Sequence, residues 1–131
     1  MSNSSVNNVG TLTNSTPASD LLVDLDSVLE RLDGDAELFQ DFIEIFMEDA
    51  PALMKEIETA LNDADAPALQ KSSHALKGLL LNFGAKECVD SALALEKASR
   101  DDEIANAKED YEKLLVSFEA LQNELKTLRS N

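Results

Sequence analysis

Apolar residues recur every three or four positions over most of this chain, and that spacing restricts the fold more than any other feature. The last and clearest segment has Ile104, Tyr111, Leu114, Phe118, Leu121, Leu125 and Leu128. Residues three or four apart fall on one face of an α-helix, whereas a half-buried strand alternates every two residues. Alternating segments and Asn-Gly hairpin signals do not occur in the sequence. The pattern therefore predicts an all-α fold.

Four earlier segments have the same helical spacing. Their core positions are Leu21, Leu25, Val28 and Leu32; Phe39, Phe42, Phe46, Ala50, Leu53, Ile57 and Leu61; Leu69, Ser73, Leu76, Leu80 and Phe83; and Cys88, Ala92, Leu95 and Ser99. Gly34 and Gly84 are expected to end the first and third helices, because glycine suits the turn after a helix. Asp65 is the expected N-cap of the third helix, with Pro67 in its first turn. Pro51 removes an interior hydrogen bond and is a candidate kink.

Short loops between long amphipathic helices imply antiparallel neighbours. The predicted architecture is an up-down antiparallel four-helix bundle with a short leading N-terminal helix, spanning residues 20–131. Residues 1–19 contain no charged side chain and are rich in Ser, Asn and Thr, so they are predicted to be a disordered polar tail. No helix has an obvious second apolar face of dimer size, and we expect a monomer.

The chain is strongly acidic. Eleven Lys and Arg against 26 Asp and Glu give a formal charge of −15, which argues against nucleic acid and anionic membranes as partners. Cys88 is the single cysteine and cannot form an internal disulfide, which favours a reducing compartment. The N-terminus has no signal-peptide pattern, and no apolar run reaches the roughly 20 residues of a membrane span. We therefore expect a cytoplasmic protein.

The acids avoid one stretch of the chain. Residues 66–86 contain no Asp or Glu, and they hold His74, the only histidine. On a helix His74 shares its face with Gln70, Lys71, Lys77 and Gly78, away from the core stripe. His74 is therefore expected to be exposed, with a cation on either side.

This setting suits a nucleophilic imidazole. A free imidazole is mostly neutral at neutral pH, and two nearby ammonium groups favour the neutral form further. Lys77 is expected to offset charge on a transferring phosphoryl group, in a zone without carboxylates to repel it. It is expected to contribute little packing, so Lys77→Ala should change stability by no more than about 0.5 kcal/mol. Gly78 is costly inside a helix, and the close approach of another molecule would explain it.

The same residues resemble a known family. "HALKGLLLNFGA" is similar to the signature of histidine-containing phosphotransfer (HPt) domains: His, two residues, Lys-Gly, five residues, then Gly. His74, Lys77, Gly78 and Gly84 match those positions. The upstream segment "ELFQDFIEIFMEDAPALMKEIETALNDAD" and the downstream "ALE" at residues 94–96 are also similar to the family. The resemblance covers roughly residues 21–128.

The resemblance implies a phosphorelay intermediate built as a four-helix bundle. His74 would accept a phosphoryl group from an aspartyl phosphate on a receiver domain and pass it to another response-regulator receiver. The implied partners are receivers and a hybrid sensor kinase. The chain needs no cofactor of its own, and Mg²⁺ is expected on the partner receiver. Family members often have Ser or Ala after Lys-Gly, where this chain has three leucines, residues 79–81, of which one or two are expected in the core.

Several apolar and polar residues are candidates for receiver binding. Leu38 and Ile45 lie beside the predicted core stripe of the second helix, either as the edge of a wide core or as a docking patch. Gln70 and Lys71 precede His74, and Leu81 follows it.

Other functions fit the sequence less well. The chain has no phosphate-binding G-x-x-x-x-G-K-[ST] loop and no second domain for ATP, so it is not expected to be a kinase or another enzyme. One His and one Cys without clustered carboxylates do not supply a metal site. Hydrolysis with His74 as general base lacks an enclosed pocket. The main alternative is an acidic helical adaptor or inhibitor that binds a protein without phosphotransfer.

Overall fold

A computed structural model describes residues 23–129 of the chain. Within that range every regular element is helical. The helices are α1 (Leu25–Arg31), α2 (Ala36–Asn62), α3 (Ala66–Leu81), α4 (Lys86–Arg100) and α5 (Lys108–Leu128), with one 3₁₀ turn at Ile104–Asn106. The prediction of an all-α fold is confirmed. The predicted polar tail, residues 1–19, lies outside the described residues.

Aspartates begin the first three helices. The Asp24, Asp35 and Asp65 side chains accept hydrogen bonds from backbone N–H groups three residues further on, at 3.3, 3.0 and 3.1 Å. Each carboxylate satisfies a backbone donor that has no partner within the helix. Asp65 and Pro67 therefore have their predicted roles at the start of α3.

Residues with a left-handed backbone conformation, that is with positive φ, lie between several of the helices. Gly34 has φ of +75° after α1, and Gly84 has φ of +61° after α3, as expected of helix-ending glycines. Asp33, Ala64 and Asp102 also have positive φ. These three non-glycine positions had no distinct signal in the sequence.

The core follows the predicted stripes with one shift in α2. Ile43, Met54 and Ala60 are buried there, although the sequence stripe included Phe42, Leu53 and Leu61. Those three are partly buried and pack against the edge of the core. The shift arises because α2 contacts three helices, α1, α3 and α5, so its buried face is broader than one line of residues. The helix continues through Pro51.

The last helix begins later than the apolar pattern indicates. Ile104 belongs to the 3₁₀ turn, and α5 starts at Lys108. Ile104 still packs against the core, because the turn folds back over it. Apolar spacing alone therefore extended the predicted helix by one turn too many.

The long helices contact one another in a closed ring. Each packs against the next in sequence, and α2 also contacts α5. Phe46 joins them at the centre, because its ring lies 5.5 Å from Phe83 and 5.5 Å from Phe118 between centroids. The segment before α1 covers the end of α3, where the Asp24 N–H donates to the Phe83 carbonyl at 3.2 Å.

No helix in the described part of the chain combines the length and the apolar character needed to cross a membrane.

Candidate functional site

His74 lies in the middle of α3 and points away from the core. Leu69, Ser73, Leu76 and Leu80 fill the inner face of α3 and are fully buried. The His74 side chain is consequently 67% exposed. The predicted exposure of this imidazole is confirmed.

A buried carboxylate from the next helix contacts the imidazole. Glu96 of α4 has a side chain only 7% exposed, and its Oε2 lies 2.9 Å from His74 Nδ1. Its Oε1 accepts a hydrogen bond from Lys77 Nζ at 2.8 Å. The expectation that carboxylates are absent around His74 is therefore wrong. The acid-free stretch is a property of α3 alone, and helix packing brings an acid from 22 residues further along the chain.

Glu96 has a third basic neighbour. Arg100, one turn further along α4, places a guanidinium nitrogen (NH1) 3.4 Å from Glu96 Oε2. The Lys77 hydrogen bond is the main cause that lowers the pKa of Glu96. Burial opposes it, and His74 adds to the lowering. Glu96 is therefore ionised at neutral pH.

The carboxylate fixes which ring nitrogen is available in neutral His74. An ionised carboxylate only accepts hydrogen bonds, so Nδ1 carries the proton that it shares with Glu96. Nε2 then keeps its lone pair. The arrangement presents one unprotonated ring nitrogen on an exposed face, which is the requirement for a nucleophilic imidazole.

Lys77 is more involved in the fold than the sequence indicated. Its side chain is 21% exposed, and its ammonium is bound to the buried Glu96. Removing it would leave a buried carboxylate with one cation fewer, and such losses are costly. The expectation that Lys77 contributes little to structure was wrong, because it considered only neighbours on α3.

Gly78 borders open space. A Cβ built at this position meets no atom of residues 23–129 within 4 Å. Nothing in this described part of the chain therefore requires a glycine here. The position lies one turn from His74 and is exposed, so the missing side chain leaves room for another molecule beside the imidazole.

The structure brings two further predicted residues to His74. Gln70 and Lys71 line a shallow depression together with Pro67, His74 and Glu96. Its floor includes the carboxylate that holds the imidazole. The depression is open to solvent, which suits contact with a protein surface better than enclosure of a small substrate.

Three predicted docking residues are exposed apolar side chains. Leu38 is 37% exposed, Ile45 44% and Leu81 50%, so the wide-core interpretation of Leu38 and Ile45 is wrong. Leu81 lies about two turns from His74 on the same face of α3. Of its two leucine neighbours, Leu80 is fully buried and Leu79 packs at the edge of the core, as expected.

Sequence reasoning missed the roles of Glu96 and Arg100. Glu96 drew notice only through the "ALE" similarity, and no pattern indicated Arg100. Both belong to a different helix from His74, so local spacing carries no information about the contact. Among the described residues, no group of three or more His, Cys, Asp or Glu side chains forms a metal site.

Comparison with models of protein families identifies the family of this chain. The family model described as "Hpt domain" matches residues 41–131, which is most of the chain and includes α3 and α4 entirely. Comparison with curated proteins gives no significant match, and neither does comparison with solved structures.

Proposed function

Since the chain belongs to the Hpt domain family, a family of phosphocarriers in two-component signalling, we propose that His74 is its phosphoryl acceptor. The observation that supports this most directly is the 2.9 Å contact between His74 Nδ1 and the buried Glu96. It holds the ring in one orientation and leaves Nε2 as the free nitrogen. His74 is also the only histidine in the sequence.

The transfer begins at an aspartyl phosphate on a receiver domain. Nε2 of His74 attacks the phosphorus, an N–P bond forms, and the P–O bond to the aspartate breaks, so the receiver recovers its carboxylate. Nδ1 keeps its proton, and the ring becomes a phosphoimidazolium. Glu96 stabilises that positive charge, as a carboxylate beside an imidazolium does in other sites. The reverse sequence passes the group to the aspartate of a second receiver.

The partners we propose are response-regulator receivers and a hybrid sensor kinase. The receiver supplies the aspartate and binds the Mg²⁺ that offsets phosphoryl charge, so this chain needs no cofactor. No ATP site is assigned to it. We further propose that it works as a cytoplasmic monomer, with residues 20–131 as the phosphotransfer domain.

An up-down antiparallel arrangement of the four long helices is the architecture we propose for that domain. Near the start of α2, the Gln40 side chain donates to the Leu128 carbonyl at the end of α5, at 3.0 Å. Phe39, also near the start of α2, contacts Phe83, which follows the end of α3. In both pairs the start of one helix meets the end of the other, as antiparallel neighbours do.

The receiver face that we propose consists of Leu38, Ile45, Gln70, Lys71, Gly78 and Leu81. On α2, Gln40 and Glu44 contact the C-terminal end of α5. Leu38 and Ile45 point to the other side of α2, toward α3, because they are offset from those residues around the helix. Exposed apolar side chains on α2 and on α3, the helix that carries His74, support docking on these two helices.

The test of the acceptor is His74→Gln. The variant keeps a polar side chain of similar size at an exposed position, so we expect a folded protein by circular dichroism. Receiver domains from the source organism would be charged with labelled acetyl phosphate and mixed with wild type or variant. We expect acid-labile, base-stable label on the wild type and none on the variant, which should still bind the receiver. Label on His74→Gln would overturn the proposed acceptor and favour a binding role without phosphotransfer.

A further inference from the structure

The two cations that bind Glu96 occupy different oxygens of its carboxylate. Lys77 contacts Oε1. Arg100 contacts Oε2, the oxygen that also holds His74 Nδ1. The guanidinium and the imidazole therefore share one oxygen of the Glu96 carboxylate, whereas the ammonium binds the other oxygen.

The two cations also differ in their exposure and in the length of their contact with Glu96. Lys77 is 21% exposed and makes a short, 2.8 Å contact with a buried partner. Arg100 is 47% exposed, and its contact with Glu96 is 3.4 Å long, which is beyond the usual length of a charged hydrogen bond. Arginine carries five N–H donors. Arg100 is thus able to take a second anionic partner without leaving a buried charge behind.

Phosphorylation of His74 creates such a partner. A phosphoryl group adds up to about two negative charges next to the ionised Glu96. The repulsion between them has to be offset by a cation that reaches both. Guanidinium groups bind phosphate oxygens through paired N–H donors, a geometry that ammonium groups lack.

We propose that Arg100, rather than Lys77, is the cation that binds the phosphoryl group on His74, an inference that rests on His74 being the acceptor. Lys77 acts through Glu96: it neutralises the buried carboxylate and so positions the imidazole. Arg100 bridges Glu96 Oε2 and the phosphoryl oxygens. Arg100, on a different helix, therefore takes the role of direct phosphate partner that the sequence predicted for Lys77.

The experiment uses potassium phosphoramidate, which phosphorylates imidazole nitrogens directly, so no particular receiver is needed. ³¹P NMR then follows the second ionisation of the phosphoryl group with pH. A neighbouring cation favours the dianion, so Arg100→Ala should raise that phosphoryl pKa, by roughly half a unit or more. Arg100→Lys should restore part of the shift. Lys97→Ala, which removes another exposed cation of α4, should titrate like the wild type.

A double-mutant cycle with Glu96→Gln separates the two roles. Lys77→Ala should destabilise the unphosphorylated protein in the wild-type background and much less in the Glu96→Gln background, where no buried charge needs it. The effect of Arg100→Ala on the phosphoryl pKa should persist in both backgrounds.

With labelled receivers, Arg100→Ala should slow transfer about tenfold or more.

Two results would overturn the assignment. If Arg100→Ala titrates like the wild type while Lys77→Ala raises the phosphoryl pKa, Lys77 is the phosphoryl partner. If the wild type gives no ³¹P signal that disappears in His74→Gln, the acceptor itself is wrong, and the proposed function fails together with this inference.

Discussion

At the scale of single residues, the ionisation of Glu96 is linked to folding. Its pKa is lowered in the folded protein, chiefly by Lys77. The stabilisation that it contributes is therefore fully present above its unfolded pKa, about 4.3, and is lost as pH falls through the lower folded pKa. Glu96→Gln cannot titrate, so it lacks this dependence.

We predict that wild type is more stable than Glu96→Gln at neutral pH and that their difference shrinks between about pH 5 and pH 3. Urea unfolding at a series of pH values measures the free energy of each. The other carboxylates titrate in both proteins, so their contribution to the pH dependence drops out of the difference in unfolding free energy. A difference that stays constant down to pH 3 would show that folding does not lower the pKa of Glu96.

Gly78 provides a second residue-level prediction. Because a Cβ there meets open space, Gly78→Ala should stabilise the protein by up to about 1 kcal/mol through helix propensity. Gly78→Gln should also fold, yet it should block the receiver and slow phosphotransfer. Urea unfolding and receiver labelling measure the two effects, with Gly78→Ala as the control. Wild-type transfer by Gly78→Gln would refute the close-approach explanation.

The sequence was most informative about residues that share a helix with His74. His74, Lys77 and Gly78 form one short motif, and helical spacing places them on one face. Glu96 and Arg100 come from α4, and their contact with α3 depends on how the two helices pack. Local patterns do not encode that contact, so the buried carboxylate and the role of Lys77 required a structure.

At the scale of helices, Gly84 joins the end of α3 to the segment before α1. Its φ is +61°, and a Cβ there would lie 3.3 Å from Asp24 Cβ. Gly84→Ala should destabilise the protein by about 1 to 3 kcal/mol through backbone strain and this contact. Gly34→Ala is the matched control, because its φ is +75° and a Cβ there meets no atom of the described residues within 4 Å.

Urea unfolding of both variants isolates the contribution of the contact. We expect Gly84→Ala to be the less stable of the two, because it adds crowding against Asp24 to the strain that both share. Equal or smaller destabilisation by Gly84→Ala would mean that the segment before α1 yields easily and does not hold the end of α3.

Helix positions were more predictable than helix edges. Apolar periodicity located all five helices, and Asp65, Pro67 and Gly84 marked the bounds of α3. The pattern failed at Ile104. This residue lies in the turn before α5, but it packs on the core and so continues the apolar spacing of that helix. The pattern also missed Ile43 and Met54 in α2, since a helix that contacts three others buries a wider face than one stripe.

At the scale of the whole molecule, the proposed receiver face makes a separate prediction. Leu38→Asp and Ile45→Asp place a charge among exposed apolar side chains, so they should weaken receiver binding about tenfold while changing stability little. Val116→Asp is the control, because Val116 is 70% exposed but lines a groove between α4 and α5. Titration calorimetry with an unphosphorylated receiver measures the affinity. Equal weakening by all three variants would indicate a general effect of added negative charge.

The all-helical architecture was predictable from the sequence, because each helix buries one face and its apolar residues therefore recur every three or four positions. The exposure of surface residues was less predictable from the sequence. Exposure of Leu38 and Ile45 depends on how far the neighbouring helices overlap them, and the sequence left both a core and a docking interpretation open.

The position of Glu96 on a different helix from His74 has a consequence for the life of the chain in the cell. The ribosome makes the histidine 22 residues before the carboxylate, and a chain that is truncated between them or unfolded has an imidazole with no fixed tautomer and no guanidinium held nearby. Such chains should intercept few phosphoryl groups. Under the proposed function, efficient phosphotransfer would thereby depend on the completed packing of α3 against α4.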